Sequence, residues 1–239
     1  MSPLQRGTAA KRQGVALFPI FKTMFYPVFL NLKDKRVVVI GGGEVAERKV
    51  ESLLDTGASV TVISPHVTAR LASLADSRLI ELQKRPYAQG DCSRAALVLS
   101  ATDDPEVNEA VWNEATGAGI LVNTADEPVL CNFIMPAVVR RGELAVAIST
   151  GGTSPALASR LRHKFSQMLG PEYTRLVELL AGIRPEIRER FHNGRDRKAL
   201  HYRILDSGII DCLKEGDSEG AERRLRQIIE EFACEEKTP

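Results

Sequence analysis

RVVVIGGGEVAERKVESLLDTGASVTVI, residues 36–63, decides the fold. Val37-Val38-Val39-Ile40 is an unbroken β-branched run, as expected of a strand covered on both faces, and it enters the turn Gly41-Gly42-Gly43. Residues 44–56 then place apolar side chains at helical spacing, and Gly57 closes the helix. Val60-Thr61-Val62-Ile63 is a second buried strand. Strand, turn, helix and strand in this length make one βαβ unit, which implies a parallel sheet.

Downstream the alternation continues. A helix is predicted near 66–75, a weak strand near 79–83 and a strong one at 96–100. Thr102-Asp103-Asp104-Pro105 offers capping side chains and a first-turn proline for a helix over 105–117, and residues 120–123 form a fifth strand. After this the pattern changes. Residues 133–139 and 144–149 are strand-like and are joined through Arg140-Arg141-Gly142-Glu143 as a hairpin. Ser149-Thr150-Gly151-Gly152-Thr153-Ser154-Pro155 then leads into a helix over 155–169. From Pro171 every segment is an amphipathic helix, with breaks predicted at Gly182–Pro185, Asn193-Gly194 and Gly216. The expected class is α/β. It comprises an N-terminal Rossmann domain with a parallel sheet (24–135), a small hairpin-and-helix module (136–167) and an all-helical domain (168–239).

Composition narrows the function. Thirty-two Lys and Arg balance thirty-one Asp and Glu, so there is no basic field to draw the chain to nucleic acid or a membrane surface. Cys92, Cys131, Cys212 and Cys234 are scattered without C-x-x-C spacing, which fits reduced thiols in the cytoplasm rather than a disulfide framework or a structural metal site. No apolar run approaches the roughly 20 residues that cross a bilayer. The basic, patternless stretch 1–23 reads as a disordered leader, or as translation from an upstream start.

Gly41-x-Gly43-x-x-Ala46 lies between strand and helix, the context in which this pattern signals a dinucleotide. Gly41 permits the tight turn, Gly43 lets backbone N–H groups approach a pyrophosphate, and Ala46 lets helix and strand pack closely. Glu44 and Val45 belong to the same turn. The second strand ends in Ser64-Pro65-His66, where many NAD enzymes have an acidic residue for the ribose. Ser64 can bond the ribose instead. Arg70 is nearby, but no arginine cluster awaits a 2′-phosphate, so NAD is preferred to NADP. Thr102 and Asp103 line the cleft, with Asp103 and Asp104 read as caps of the following helix, and Asn123 ends the fifth strand near the expected nicotinamide.

Two dehydrogenase mechanisms are excluded or unsupported. Tyr26, Tyr87, Tyr173 and Tyr202 are followed four places on by Leu30, Asp91, Val177 and Asp206, so no Tyr-x-x-x-Lys pair exists. Of His66, His163, His192 and His201, only His66 lies near a strand end of the first domain. Five other motifs stand in order: Y-P-V-F-L-N-L (26–32), G-G-G-E-V-A-E-R-K (41–49), A-T-D-D (101–104) with Asn108, F-I-M-P (133–136) and S-T-G-G-T-S-P (149–155). Together they resemble the precorrin-2 dehydrogenase family, which includes the N-terminal half of bifunctional sirohaem synthase. The likeness covers about residues 24–170 and continues more loosely through the tail.

The resemblance implies NAD-dependent oxidation of precorrin-2 to sirohydrochlorin on a homodimer, with 136–167 supplying much of the subunit interface. In some relatives the same site inserts ferrous iron, so Fe2+ or Co2+ enters as a substrate rather than a resident metal. By residue chemistry alone Asp126 reads equally as a turn former before Glu127-Pro128 and as a site carboxylate beyond a strand end. The resemblance selects the catalytic role. It likewise assigns Ser149, Thr150, Gly151, Thr153 and Ser154 to substrate carboxylates, although the loop's composition also suits helix capping. Arg160 is the favoured cationic contact among Arg140, Arg141, Arg160, Arg162 and Lys164. A serine phosphorylated in some relatives corresponds to Thr150, beside Ser149. The methyltransferase part of the bifunctional synthase is expected to be a separate protein. A regulatory Rossmann module that senses NAD without catalysis is the alternative.

Overall fold

The computed structural model describes residues 25–235, so the expected leader at 1–23 lies outside the described residues. The chain divides after Leu30. Residues 25–30 carry no helix or strand, and the description below concerns the unit from Asn31 onward.

Strands β1 (Arg36–Ile40), β2 (Ser59–Ile63), β3 (Glu81–Gln83), β4 (Leu97–Ser100) and β5 (Leu121–Thr124) form one parallel sheet in the order β3-β2-β1-β4-β5. Helices α1 (Glu44–Leu54), α2 (Ala69–Asp76) and α3 (Pro105–Gly117) connect them. Val37 pairs with Val60 on one side and Leu97 on the other, so β1 is central and its valines are fully buried. Alternate residues serve two cores. Val37, Val39, Val60, Val62, Leu97 and Leu99 pack with Ala46, Val50 and Leu53 of α1 and Leu71 and Leu74 of α2. Val38, Ile40, Val98 and Val122 pack with Val111 and Ala115 of α3. Each Val, Leu or Ile among these contributes roughly 1.5–3 kcal/mol by leaving water. Successive strands are added outward on one side of β1 and then, from β4, on the other, and this switch in order opens a crevice at the carboxyl ends of β1 and β4.

Thr68 caps α2 by accepting the Leu71 N–H at 3.2 Å, which starts that helix three residues later than the pattern of apolar positions predicts. The segment after β5 makes one 3-10 turn, Pro128–Leu130, and returns along the strand. Asn132 seals it: its carboxamide accepts the Val122 N–H at 2.8 Å and donates to the Ile120 carbonyl at 3.0 Å, while its own N–H bonds the Val122 carbonyl.

Strands β6 (Ala137–Arg141) and β7 (Leu144–Ile148) form an antiparallel hairpin closed by Gly142-Glu143. Gly142 has φ +57°, as the first central position of a two-residue turn requires. The strand predicted from Phe133 therefore begins only at Ala137, after Pro136. Helices α4 (Pro155–Met168), α5 (Glu172–Arg190), α6 (Gly194–Leu205), α7 (Ile209–Lys214) and α8 (Ser218–Glu235) follow. Arg141 reaches the end of α4, donating to the carbonyls of Leu169 at 2.7 Å and Ser166 at 3.0 Å.

The predicted break at Gly182–Pro185 does not occur, because α5 runs through it. Ala181, whose carbonyl loses its partner to the proline, is exposed, as is Pro185, so water meets the orphaned carbonyl. Meanwhile Leu176 before the proline and Ile187 after it enter the same apolar cluster, together with Leu200, Ile204, Leu225 and Ile228. Packing on both sides keeps the helix continuous through an unfavourable residue.

Candidate functional site

The turn between β1 and α1 has a glycine floor for steric reasons. Gly41 has φ +111°, and a Cβ there would lie 2.2 Å from the Ala101 carbonyl oxygen. Gly42, outside the x-spaced pattern, is equally constrained, with its Cβ position 2.2 Å from the His66 carbonyl oxygen. Gly43 differs: a Cβ there would meet nothing within 4 Å. Its backbone therefore faces open space. Gly43 is the N-cap of α1 and makes no side-chain cap bond, and the first helical bond runs from Glu47 N–H to its carbonyl. The N–H groups of Glu44, Val45 and Ala46 thus point out of the helix start without intrahelical acceptors. An open approach, free N–H donors and the positive end of the helix dipole fit a pyrophosphate.

Around this turn the polar side chains are partly committed. Ser64 is buried, and its hydroxyl donates to the His66 carbonyl at 2.7 Å, leaving it only as an acceptor for a ribose hydroxyl. Arg70 is paired with Glu51 at 3.0 Å. Thr102 Oγ1 accepts the Asp104 N–H at 3.2 Å, and its carbonyl accepts from the buried Asn108 at 3.0 Å. Asp104 alone caps α3, accepting the N–H groups of Glu106 and Val107. Asp103 is exposed and does not cap, which corrects the shared-cap reading.

At the carboxyl end of β5 the structure gathers Lys49, Asn123, Asp126, Cys131 and Met135. Lys49 Nζ donates to Asn123 Oδ1 at 2.9 Å and lies 3.5 Å from Met135 Sδ. Asn123 Nδ2 donates to the Phe133 carbonyl at 3.2 Å and toward Cys131 Sγ at 3.4 Å. Its amide is thus spent largely within the protein, where it works as a strut more than as a free nicotinamide contact. Burial lowers the Lys49 ammonium below its ordinary pKa, opposed by the charges of Cys131 and Asp126 and aided by Arg48. Burial pushes the Cys131 thiol up, against the Thr124 backbone bond and the Lys49 charge, and Glu127 adds to the rise. Asp126 stands in the turn beyond β5, exposed, at φ +60°. Thr124 is buried, and its Oγ1 has no hydrogen-bond partner among the described residues.

Lys49 escaped the sequence reading although a signal was present. Ala46, Val50 and Leu53 are the buried stripe of α1, and Lys49 stands three residues after Ala46 and four before Leu53, on that same stripe.

The 149–154 loop is self-capped. Thr150 Oγ1 accepts the Ser154 N–H at 3.0 Å and faces the Ser154 carbonyl at 3.2 Å. Ser149 Oγ accepts the Gly151 N–H at 3.0 Å, and Ser154 Oγ caps α4 through the Leu157 N–H at 3.2 Å. Thr153 donates its N–H to the Thr150 carbonyl, and Gly151 and Gly152 take φ of +61° and +80°. Arg160, Arg162, Lys164 and Arg140 are exposed, whereas Arg141 is committed to the end of α4 and leaves the set of substrate candidates. Among the described residues no cluster of three His, Cys, Asp or Glu could hold a metal, and no helix is long and apolar enough to cross a membrane.

The parallel 3-2-1-4-5 sheet, the glycine-floored turn and the polar group beyond β5 define a dinucleotide-binding protein of the Rossmann class. Residues 28–137 match the family model described as "Putative NAD(P)-binding", 141–168 match "Sirohaem biosynthesis protein central", and 172–229 match "Sirohaem synthase dimerisation region". The chain belongs to the precorrin-2 dehydrogenase and sirohaem synthase family. It is 40% identical over 204 residues to a sirohaem synthase of Methylobacillus flagellatus, covering 85% of this chain and 44% of that one. A sirohaem synthase of Methylococcus capsulatus is 38% identical over 213 residues, covering 89% and 45%. The chain therefore spans less than half the length of these curated relatives. The solved structure of SirC, a precorrin-2 dehydrogenase, superposes with a TM-score of 0.70 at 28% identity, covering 86% of this chain and all of that one. The region named for dimerisation is 172–229, C-terminal to the 136–167 module in which the resemblance put much of the interface.

Proposed function

We propose that this chain catalyses the NAD-dependent oxidation of precorrin-2 to sirohydrochlorin, as a homodimer in the cytoplasm. The observation that carries the reading is the likeness to SirC over the whole of that chain, with a dinucleotide turn and a carboxylate-bearing strand end in one crevice. NAD, when bound, supplies the hydride acceptor. The N–H groups of Glu44, Val45 and Ala46 hold the pyrophosphate, and Ser64 accepts from the ribose. Arg70, the arginine that follows the second strand, is engaged by Glu51 rather than left for a 2′-phosphate, which favours NAD over NADP. The oxidation also releases a proton, and Asp126, exposed at the mouth of the crevice, is the base that takes it.

The 149–154 loop and Arg160 serve the carboxylate arms of the macrocycle. Domain limits of 24–135, 136–167 and 168–239 go with this reading. The outer face of the hairpin exposes Val138 and Arg140, which supports its part in the dimer beside the 172–229 helices. The free cysteines among the described residues fit a reducing compartment. A second step at the same site, in which Fe2+ or Co2+ enters the product as two pyrrole protons leave, is the further activity put to the test.

An anaerobic assay with precorrin-2 and NAD, following sirohydrochlorin optically and then adding ferrous or cobalt ions, tests these steps. Turnover is expected. Tight NAD binding without turnover would instead favour a sensing module. Light scattering across a dilution series tests the dimer.

A further inference from the structure

Lys49 is a cation without an anion. Its ammonium has three donors; one meets the neutral Asn123 Oδ1, one meets the thioether of Met135, a weak acceptor, and the third has no acceptor among the described residues. Among the described residues no carboxylate stands within ion-pair distance, although Asp126 is near enough for its charge to be felt. The other end of the molecule behaves differently. Arg175, Arg190 and Arg203, none of them buried, each have glutamate partners between 2.6 and 3.4 Å away. A half-buried charge left unneutralised is unfavourable unless a ligand supplies its counter-charge.

The setting is that of a subsite. Lys49 projects from α1, the helix whose first turn forms the dinucleotide cradle, toward the strand end that carries Asp126. Asn123 holds the amine by one donor and is itself fixed by the Phe133 carbonyl, so the ammonium is oriented before any ligand arrives. Met135 is substantially exposed, so the side of Lys49 that it covers lies close to solvent.

We propose that Lys49 is a specificity-determining residue that anchors one carboxylate arm of a polycarboxylate tetrapyrrole and so sets the macrocycle beside Asp126. This rests on the dehydrogenase reading for the identity of the natural substrate, but its test does not need turnover. Uroporphyrin, a stable macrocycle with eight carboxylates, is titrated by fluorescence quenching into wild type, Lys49→Met and Lys49→Arg. NAD affinity and thermal midpoint are measured on the same samples.

Loss of one charge-assisted bond is expected to raise the uroporphyrin Kd of Lys49→Met roughly ten- to a hundredfold, and to flatten its salt dependence. Lys49→Arg should recover most of the affinity, and NAD affinity should stay within about twofold. Uroporphyrin binding by Lys49→Met within about twofold of wild type would overturn the proposal. So would parallel loss of NAD binding, no recovery in a folded Lys49→Arg, or no porphyrin binding by wild type. Lys49-dependent porphyrin binding by a wild type that fails to oxidise precorrin-2 would sustain the anchor and reject the dehydrogenase.

Discussion

Asp126 carries two separable properties, a carboxylate and a left-handed backbone, and substitution can remove them one at a time. At φ +60° an L residue with an ordinary side chain is strained, while Asp and Asn tolerate the region and Gly is indifferent to it. Asp126→Ala should therefore lose about 1 kcal/mol of stability in addition to the carboxylate. For a chain of this size that corresponds to a fall of roughly 2–4 °C in Tm. Asp126→Asn keeps the backbone preference, and Asp126→Gly relieves it at an entropic cost of similar size, so both should melt within about 1–2 °C of wild type. If the carboxylate takes the proton released by oxidation, all three variants should lose about two to four orders of magnitude in kcat. Differential scanning fluorimetry beside the anaerobic precorrin-2 assay reads both quantities. Asp126→Asn within threefold of wild-type turnover would refute the base assignment and leave Asp126 a turn former. Equal melting of the Ala and Gly variants would refute the conformational argument.

Three further outcomes follow from the geometry. Gly41→Ala should lose about 2–3 kcal/mol or fail to fold, because its Cβ would overlap the Ala101 carbonyl, whereas Gly43→Ala, at φ −81° and facing open space, should fold normally and bind NAD more weakly by calorimetry. Burial, then the charge and hydrogen bond of Glu114, push the Cys92 thiol up to about 12 from its ordinary value of 9.0. The unfolded chain therefore gives up this proton first, so stability should fall as pH rises from about 9 to 12, and Cys92→Ala should flatten that slope in urea titrations. Arg141→Met removes the bonds to the Leu169 and Ser166 carbonyls and should cost about 1.5–3 kcal/mol in chemical denaturation, with NAD affinity unchanged.

Much of the sheet was legible because its residues have few alternatives. A run such as Val37 to Ile40 has nowhere to go but a two-sided core, and a helix from Glu44 must begin where three glycines leave the chain free to turn. Pro185 misled because its cost is local while the benefit of a continuous α5 lies in Leu176 and Ile187, eleven residues apart and joined only in the tertiary core. The candidate site was legible where backbone conformation decides it, at Gly41 and Gly43, and less so where side chains meet across the fold. Arg141 looked like a free cation until α4 was seen to end beneath it. Asn123 looked available until Lys49 and Phe133 were found on either end of its amide. Lys49 sits in a run of charged residues, Glu47-Arg48-Lys49, and only its phase on the helix separates it from its solvated neighbours.

The carboxamide of Asn132 has a consequence for assembly. By taking the Val122 N–H and the Ile120 carbonyl, it acts as a single-residue substitute for a sixth strand and terminates the sheet with a side chain. An incoming chain finds no ladder to extend at that border. Pairing between copies by strand addition is thereby diverted to the β6–β7 hairpin or to the short β3.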